Sequence, residues 1–181
     1  MKKIALCVFV LVIGVMLVAC SNGNNNGDLN GNPDNTTPPA GGDIPVPDVF
    51  SFTYKDVIIE LNSNISDILG ALGEPSSILE SPSCAFDGID RIYSYPGIQI
   101  YTYPVGDDDF IHTIGFFTDA VSTTEGKIFL GNNSQAVIDA YGPDHTYETG
   151  MYRYTRGKTV LEFLVEDDIV IGITYRYLLD L

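Results

Sequence analysis

Apolar residues recur at a spacing of three to four positions in two short segments, which end at Gly73 and Gly142. The apolar positions of the first segment are Ile65, Ile68, Leu69 and Leu72, and those of the second are Val137, Ile138 and Tyr141. Such a stripe is typical of an amphipathic helix. Asn and Ser side chains precede each segment and can cap a helix, while a glycine followed by proline is typical of a helix end. The pattern predicts two short helices.

Period-two alternation of β-branched and aromatic residues follows each predicted helix. Hairpin turns are predicted at Pro96-Gly97 and through Thr155-Arg156-Gly157, and acidic turns at residues 107–109 and 166–168. The predicted strands cover residues 91–95, 98–103 and 110–116 in one half and residues 152–154, 158–163 and 169–175 in the other. A further strand-like run precedes each helix, at residues 56–61 and 125–130.

These two series of elements are copies of one unit, because Gly142 follows Gly73 at an offset of 142 − 73 = 69 residues. Each unit is interpreted as β-α-β-β-β. The predicted fold class is therefore α+β, with two tandem repeats forming an antiparallel sheet and the short helices packed on one face. Repeat 1 covers residues 50–122 and repeat 2 covers residues 123–181, and the two form one globular unit.

The first twenty residues have the features of a secretory signal. Lys2 and Lys3 precede an apolar run, which ends in Leu17-Val18-Ala19-Cys20. This tetrapeptide resembles the lipobox of bacterial lipoproteins, and the resemblance implies cleavage before Cys20 and acylation of that residue. Residues 1–19 are predicted to be the signal peptide. Residues 20–49 are rich in Asn, Gly and Pro and are predicted to form a disordered tether.

The layout of capped helix, Gly-Pro end, aromatic strand and acidic turn resembles the β-lactamase inhibitor protein and the SmpA/OmlA-type outer-membrane lipoproteins. The residues that carry the resemblance are Gly73, Pro75, Gly142, Pro143, Tyr93 and Tyr152. It implies a shared fold over about residues 54–181. The two disulfides of the inhibitor are absent here, so β-lactamase inhibition does not follow from the resemblance.

Composition limits the function classes. The chain has 24 acidic and 9 basic residues and a net charge of −15, which argues against nucleic-acid binding. Cys84 is the one cysteine of the predicted folded part, and it is interpreted as a small buried hydrophobe. His112 and His145 do not make a zinc pattern, and neither a nucleophile elbow nor a phosphate loop occurs. The sequence therefore predicts no enzyme, no cofactor and no metal site.

Tyrosine is the residue type that points to binding, since the chain has 11 Tyr and no Trp. Alternation places Tyr93, Tyr95, Tyr152 and Tyr154 on one face, predicted to be open, and Tyr101 and Tyr103 on the helix-covered face. An exposed aromatic face suits a protein or glycan partner. Ordinary packing within a two-sided core is the alternative interpretation of the same tyrosines.

The predicted function is that of a non-enzymatic binding module, which is lipid-anchored to the membrane on its extracytoplasmic side. The anchor site is Cys20, and the partner is an unidentified protein or glycan. Two alternatives remain open at this point. One is an inhibitor or modulator of an extracytoplasmic enzyme, and the other is a structural component of envelope assembly.

Overall fold

The structure is a computed structural model that describes residues 47–179. These residues belong to one compact unit. The predicted signal peptide, Cys20 and most of the predicted tether lie outside the described residues. Within residues 47–179, neither helix has the length and apolar character needed to cross a membrane.

Both predicted helices form, and their caps are those that the sequence indicates. Helix α1 spans Ile65–Leu72, and the Asn64 side chain accepts a hydrogen bond from the Ser66 amide. Helix α2 spans Ser134–Tyr141, and Asn133 caps it in the same way. Each helix ends at a glycine with positive φ, 75° at Gly73 and 85° at Gly142. A side chain would strain the backbone there, which is why both positions favour glycine.

The strands form two antiparallel sheets. A two-stranded sheet consists of β1 (Ser51–Tyr54) and β2 (Val57–Glu60). The larger sheet has the strand order β3-β4-β5-β6-β10-β9-β8-β7. Its strands in the first half of the chain are β3 (Ser77–Pro82), β4 (Ile89–Tyr95), β5 (Ile98–Val105) and β6 (Asp108–Phe116). Its strands in the second half are β7 (Thr146–Glu148), β8 (Met151–Arg156), β9 (Thr159–Glu166) and β10 (Ile169–Tyr177).

The core lies against one face of the eight-stranded sheet, and the β1–β2 hairpin contributes Phe52 and Ile59 to it. Phe52 is fully buried, and its ring centroid lies 4.9 Å from that of Phe116 and 5.5 Å from that of Tyr175. Ile59 on β2 is also fully buried. Burying apolar surface between the hairpin and the sheet is therefore a principal source of the domain's stability.

The prediction of an α+β fold with helices packed on one face is wrong, because the described chain is mostly β. The two helices have eight residues each, and α2 fully buries a single residue, Val137. A short helix of this kind covers little of a sheet, so the β1–β2 hairpin provides the missing cover.

The predicted β-α-β-β-β unit also differs from the structure. The run before α1 pairs in the separate hairpin, and residues 125–130 form turns rather than a strand. Each half gains instead an edge strand after its helix, β3 in the first half and β7 in the second.

Candidate functional site

The four tyrosines predicted to line an open face do not form one. Tyr93, Tyr95 and Tyr154 are 4%, 3% and 4% exposed and belong to the core, and Tyr152 is half-buried against it. The alternation itself is confirmed, because Tyr93 pairs with Ile100 and Tyr95 with Ile98. The prediction that this face is open is wrong, since the β1–β2 hairpin and the helices lie on the same side as these rings.

The buried tyrosines connect the helices to the sheet. The Tyr95 hydroxyl donates to the carbonyl of Gly73 at 2.8 Å, and the Tyr154 hydroxyl donates to the carbonyl of Gly142 at 3.0 Å. Both acceptors are the residues at which the helices end. Each half of the chain therefore has the same hydrogen bond between a strand tyrosine and its helix C-cap, which satisfies a carbonyl that the helix leaves free.

The opposite side of the eight-stranded sheet is here called the open face. Its central residues are Ile92, Gln99, Tyr101, Thr113, Glu162, Thr174 and Arg176. Their registers place them on the side away from the core cluster, and all of them except Glu162 are half-buried. Cross-strand neighbours account for this half-burial, and the side chains keep part of their surface accessible to a ligand.

A cavity of about 570 Å³ lies at one end of the open face. Strands β4 and β5 contribute Asp90, Ile92, Tyr101 and Tyr103, and the loop between β3 and β4 contributes Phe86. The remaining walls come from β6 and from the end of β10 and the residues after it. Their side chains are His112, Arg176, Tyr177 and Leu178. The volume lies within the range of about 300–1,000 Å³ that is typical of small-ligand pockets.

Hydrogen bonds hold the aromatic rings of the cavity in place. The Tyr101 hydroxyl donates to Gln99 Oε1 at 2.9 Å, and the Tyr103 hydroxyl donates to Asn62 Oδ1 at 2.6 Å. The Phe86 ring centroid lies 5.0 Å from that of Tyr103. Because both hydroxyl groups already donate to protein acceptors, the rings offer the cavity mainly their apolar surfaces.

A β-bulge brings His112 to the cavity. Tyr101 pairs with Thr113 and Thr102 pairs with Ile111, so His112 lies between two registered pairs. Bulges change the direction of a side chain in this way and are frequent beside functional sites. Burial lowers the pKa of His112, and the positive charge of Arg176 lowers it further. Both effects favour the neutral form of His112.

The charges of the open face are largely paired. Glu162 is buried and accepts hydrogen bonds from both Arg153, at 2.7 Å, and Arg176. Arg91, beside the cavity, pairs with Glu80 and Asp109. Its hydrogen bond to Glu80, followed by that to Asp109, raises the pKa of Arg91. The guanidinium groups therefore add little uncompensated positive charge to the cavity.

Two polar atoms of cavity-lining residues are buried without a hydrogen-bond partner among the residues that the structure describes. They are Asp90 Oδ1, an acceptor, and Arg176 Nε, a donor. Leaving a buried polar atom unpaired costs about 1–3 kcal/mol in free energy of unfolding. Protein atoms shield both of them from solvent, so they lie behind the accessible surface of the cavity.

The sequence also singled out two cysteines and an acidic turn. Cys20 lies outside the described residues. Cys84 is exposed in the loop between β3 and β4, so its interpretation as a buried hydrophobe is wrong. The turn between β5 and β6 is Gly106-Asp107, so of the predicted acidic turn only Asp107 lies in it, and Asp108 and Asp109 begin β6. Within the described part of the chain, no three His, Cys, Asp or Glu side chains are grouped so that they could hold a metal ion.

The residues that line the cavity are far apart in the sequence, and local sequence patterns predict the positions of only some of them. Alternation along β5 places Tyr101 and Tyr103 on one face, as predicted, but that face is the open face, and the prediction that it is the helix-covered one is wrong. Asp90, His112 and Arg176 meet only because β6 pairs with β10 and a bulge interrupts β6. Pairing between distant strands leaves no local pattern, so these three residues were missed.

Comparison with known proteins gives one distant structural neighbour. No protein-family model and no curated protein sequence matches this chain. The crystal structure of the DUF4309 family protein YjgB from Bacillus subtilis is similar to it at 19% sequence identity, with a TM-score of 0.38. The match covers 64% of this chain and 78% of that one. A likeness at this level supports no argument about function, and the resemblance to the β-lactamase inhibitor protein stays a prediction.

Proposed function

We propose that the protein is a lipid-anchored, extracytoplasmic binding module that takes a protein or glycan partner on its open face. The observation that carries this proposal is the cavity at the end of the open face. It combines aromatic rings that hydrogen bonds hold in place with polar lining residues, among them Asp90, His112 and Arg176. Rigid rings and a few placed polar groups are what recognition sites share.

A binding role also agrees with how the cavity is built. Its histidine is half-buried beside Thr113, whose hydroxyl oxygen lies 2.9 Å from His112 Nδ1. The guanidinium group of Arg176 forms an ion pair with Glu162. Groups that are already paired position and orient a ligand, whereas general acid–base chemistry needs groups that are poised to exchange protons.

The anchor is tested separately from the site. Residues 1–19 and Cys20 support it by their sequence alone. Radiolabelled palmitate should enter the native protein in the cells that produce it and should not enter the variant Cys20→Ala. Cys84→Ala is the matched control, because it removes a cysteine without touching the predicted lipobox. Equal labelling of Cys20→Ala and the native protein would overturn the anchor.

The binding face is tested by photocrosslinking in intact cells. A benzophenone amino acid replaces Tyr101 on the open face, and in a matched variant it replaces Ile58, which is 60% exposed on the β1–β2 hairpin. We expect a discrete crosslinked species from position 101 that position 58 does not give. Absence of any adduct at position 101, or the same adducts at both positions, would contradict the proposal.

A further inference from the structure

A row of apolar side chains crosses the open face at the end away from the cavity, and we infer that it is the docking surface for a basic, amphipathic helix of a partner protein. The inference goes beyond the proposed function, because it concerns a second surface and names the chemistry of its partner. The apolar row, as it is called here, consists of four residues. They are Phe117, Ile171, Leu164 and Met151, and none of them lines the cavity.

The strand pairing brings these four side chains together. Leu164 on β9 pairs with Gly172 on β10 and with Met151 on β8. A bulge next to Gly172 places Ile171 opposite Leu164 as well. Phe117 directly follows the last pair between β6 and β10, so it comes beside Gly172. The apolar row therefore crosses four neighbouring strands, in the order β6, β10, β9 and β8.

The side chains of the apolar row are accessible. Phe117 is 52% exposed, Ile171 48% and Leu164 37%, and Met151 is half-buried. Gly172 has no side chain, and a Cβ added to it would lie 3.2 Å from the Leu164 Cβ. The glycine therefore leaves a depression between Phe117 and Leu164, into which an apolar side chain of a partner fits. Neighbouring exposed apolar side chains of this kind mark interaction surfaces.

Acidic residues border the apolar row. Glu148 on β7 pairs with Met151, and residues 166–168, at the turn between β9 and β10, are Glu-Asp-Asp. Arg153, the next open-face residue of β8, is already ion-paired with Glu162. A partner with basic residues around its apolar side chains is attracted to this border. An anionic lipid surface and a second copy of this chain, whose net charge is −15, are repelled from it.

The length of the apolar row suits about two to three turns of a helix. Four neighbouring strands span about 14 Å, because their spacing is about 4.8 Å. A helix rises about 1.5 Å per residue, so about ten residues cover this distance. Apolar side chains at every third or fourth of these positions face the apolar row, and basic side chains at the other positions reach its acidic border.

Biolayer interferometry tests the inference directly. The full-length protein is held on the sensor by a C-terminal tag, and the detergent is washed out so that peptides do not enter micelles. The probe is a peptide of about 15 residues, with leucine on one face of its helix and lysine on the other. One control peptide has glutamate in place of every lysine, and the other has the same composition in an order that forms no amphipathic helix. We expect the leucine–lysine peptide to bind, each control peptide to bind at least about tenfold more weakly, and added salt to weaken the binding.

Variants then locate the binding. Phe117→Ala and Leu164→Ala should each weaken binding of the leucine–lysine peptide about tenfold, because each removes an exposed apolar contact. Glu148→Gln should weaken it about threefold and reduce its dependence on salt. Ile58→Ala and Glu60→Gln are the matched controls, since both side chains are exposed on β2, outside the large sheet. All five variants should keep the native circular dichroism spectrum, which separates lost binding from lost folding.

Three results of this experiment would overturn the inference. They are no binding of the leucine–lysine peptide, equal binding of either control peptide, and binding that Phe117→Ala leaves unchanged. In each case a crosslink from position 101 in cells would leave the proposed function standing, because that crosslink reports on the cavity end of the open face.

Two further measurements test the other occupants of the apolar row. A dimer in sedimentation equilibrium that Phe117→Ala dissociates would assign the apolar row to a second copy of this chain. The chain has no Trp, so Phe117→Trp introduces a single indole whose fluorescence reports on this surface. Quenching of that fluorescence by brominated lipid in phosphatidylglycerol vesicles would assign the apolar row to a lipid surface. Either result would overturn the inference, and we expect a monomer and no quenching.

Discussion

Tyr95 and Tyr101 lie on opposite faces of one sheet, and their hydroxyl groups are used differently. The Tyr95 hydroxyl donates to the carbonyl of Gly73 and connects strand β4 to helix α1. The Tyr101 hydroxyl donates to Gln99 on its own strand and leaves its ring beside the cavity. The first bond joins two elements of the fold, whereas the second only orients a ring at the surface.

The same contrast extends to the rest of each face. On the core face, burial raises the pKa of Tyr141 to about 12 and also raises the pKa of Tyr175. Aromatic rings pack on one another there, and phenolate ions are excluded by desolvation. On the open face, Glu162 lies between two arginines and Asp90 Oδ1 has no partner within residues 47–179. The comparison teaches that one face stabilises the fold, while the other contributes less to it and is the face on which we propose that a partner binds.

The largest expected difference between the two faces is in how much free energy of unfolding is lost when an aromatic ring is removed. Tyr175 is 1% exposed, and its ring centroid lies 5.5 Å from that of Phe52 and 6.0 Å from that of Phe116. Tyr175→Ala should lower the free energy of unfolding by about 3–5 kcal/mol, because it leaves a cavity in the core. Urea denaturation followed by circular dichroism measures this loss.

Tyr101→Ala provides the open-face control for the same experiment. Its ring is half-buried, so its removal should cost about 1 kcal/mol or less. Equal losses for Tyr175→Ala and Tyr101→Ala would show that the two faces are not built differently.

The next effect concerns the charge at the centre of the open face. Glu162→Ala removes the carboxylate that pairs with Arg153 and Arg176. It should lower the free energy of unfolding by about 2 kcal/mol. The cost is moderate because the arginine side chains are 38% and 35% exposed and water solvates them after the change. Arg153→Ala should cost less, since Glu162 keeps Arg176 as its partner. Thermal unfolding compares the two variants, and the reverse order would contradict this arrangement.

A smaller effect is expected at the bonds between the helices and the sheet. Tyr95→Phe and Tyr154→Phe each remove one hydroxyl-to-carbonyl hydrogen bond and should each cost about 1 kcal/mol. The double variant should lose the sum of both, because the two bonds lie in different halves of the chain. Equilibrium urea unfolding measures the three variants. A single-variant loss indistinguishable from zero would mean that these bonds do not hold the helices.

The smallest effect is a dependence of stability on pH through His112. Its pKa in the folded protein lies below the ordinary value of 6.5, so the unfolded chain takes up the proton first as the pH falls. The stability associated with neutral His112 is complete above about pH 6.5 and is lost as the pH falls towards the lowered pKa.

His112→Gln removes this dependence while keeping a polar side chain. The free energy of unfolding of the native protein relative to His112→Gln should therefore decrease between about pH 7.5 and pH 5. Urea unfolding at both pH values gives that difference. An unchanged or increasing difference would contradict a lowered pKa at His112.

Local features of this fold could be predicted from the sequence. The helix caps at Asn64 and Asn133 and the glycine ends at Gly73 and Gly142 form as predicted. The Pro96-Gly97 hairpin also has the predicted register. Each of these depends on residues that are close together in the chain, where capping and turn chemistry act directly.

The choice of the open face failed for two physical reasons. The second hairpin turns at Gly157 and Lys158, with Arg156 paired to Thr159, whereas the predicted turn was one residue longer. A shift of one residue moves a strand's side chains to the other face, and in the structure Glu162 holds the position in the second hairpin that Tyr101 holds in the first. In addition, the β1–β2 hairpin covers the core face, and no pattern within the strands of the large sheet predicts that it does.

The central claim is that one face of the sheet stabilises the fold and the other binds a partner. An NMR titration that follows the tyrosine rings tests it most directly. The full-length protein, labelled with ¹³C at the tyrosine ε carbons, is titrated with chitotetraose as a glycan ligand. We expect the ring signals of Tyr101 and Tyr103 to shift, while those of Tyr93, Tyr95 and Tyr154 stay in place. Shifts confined to the second set, or no shift in either set, would contradict the central claim.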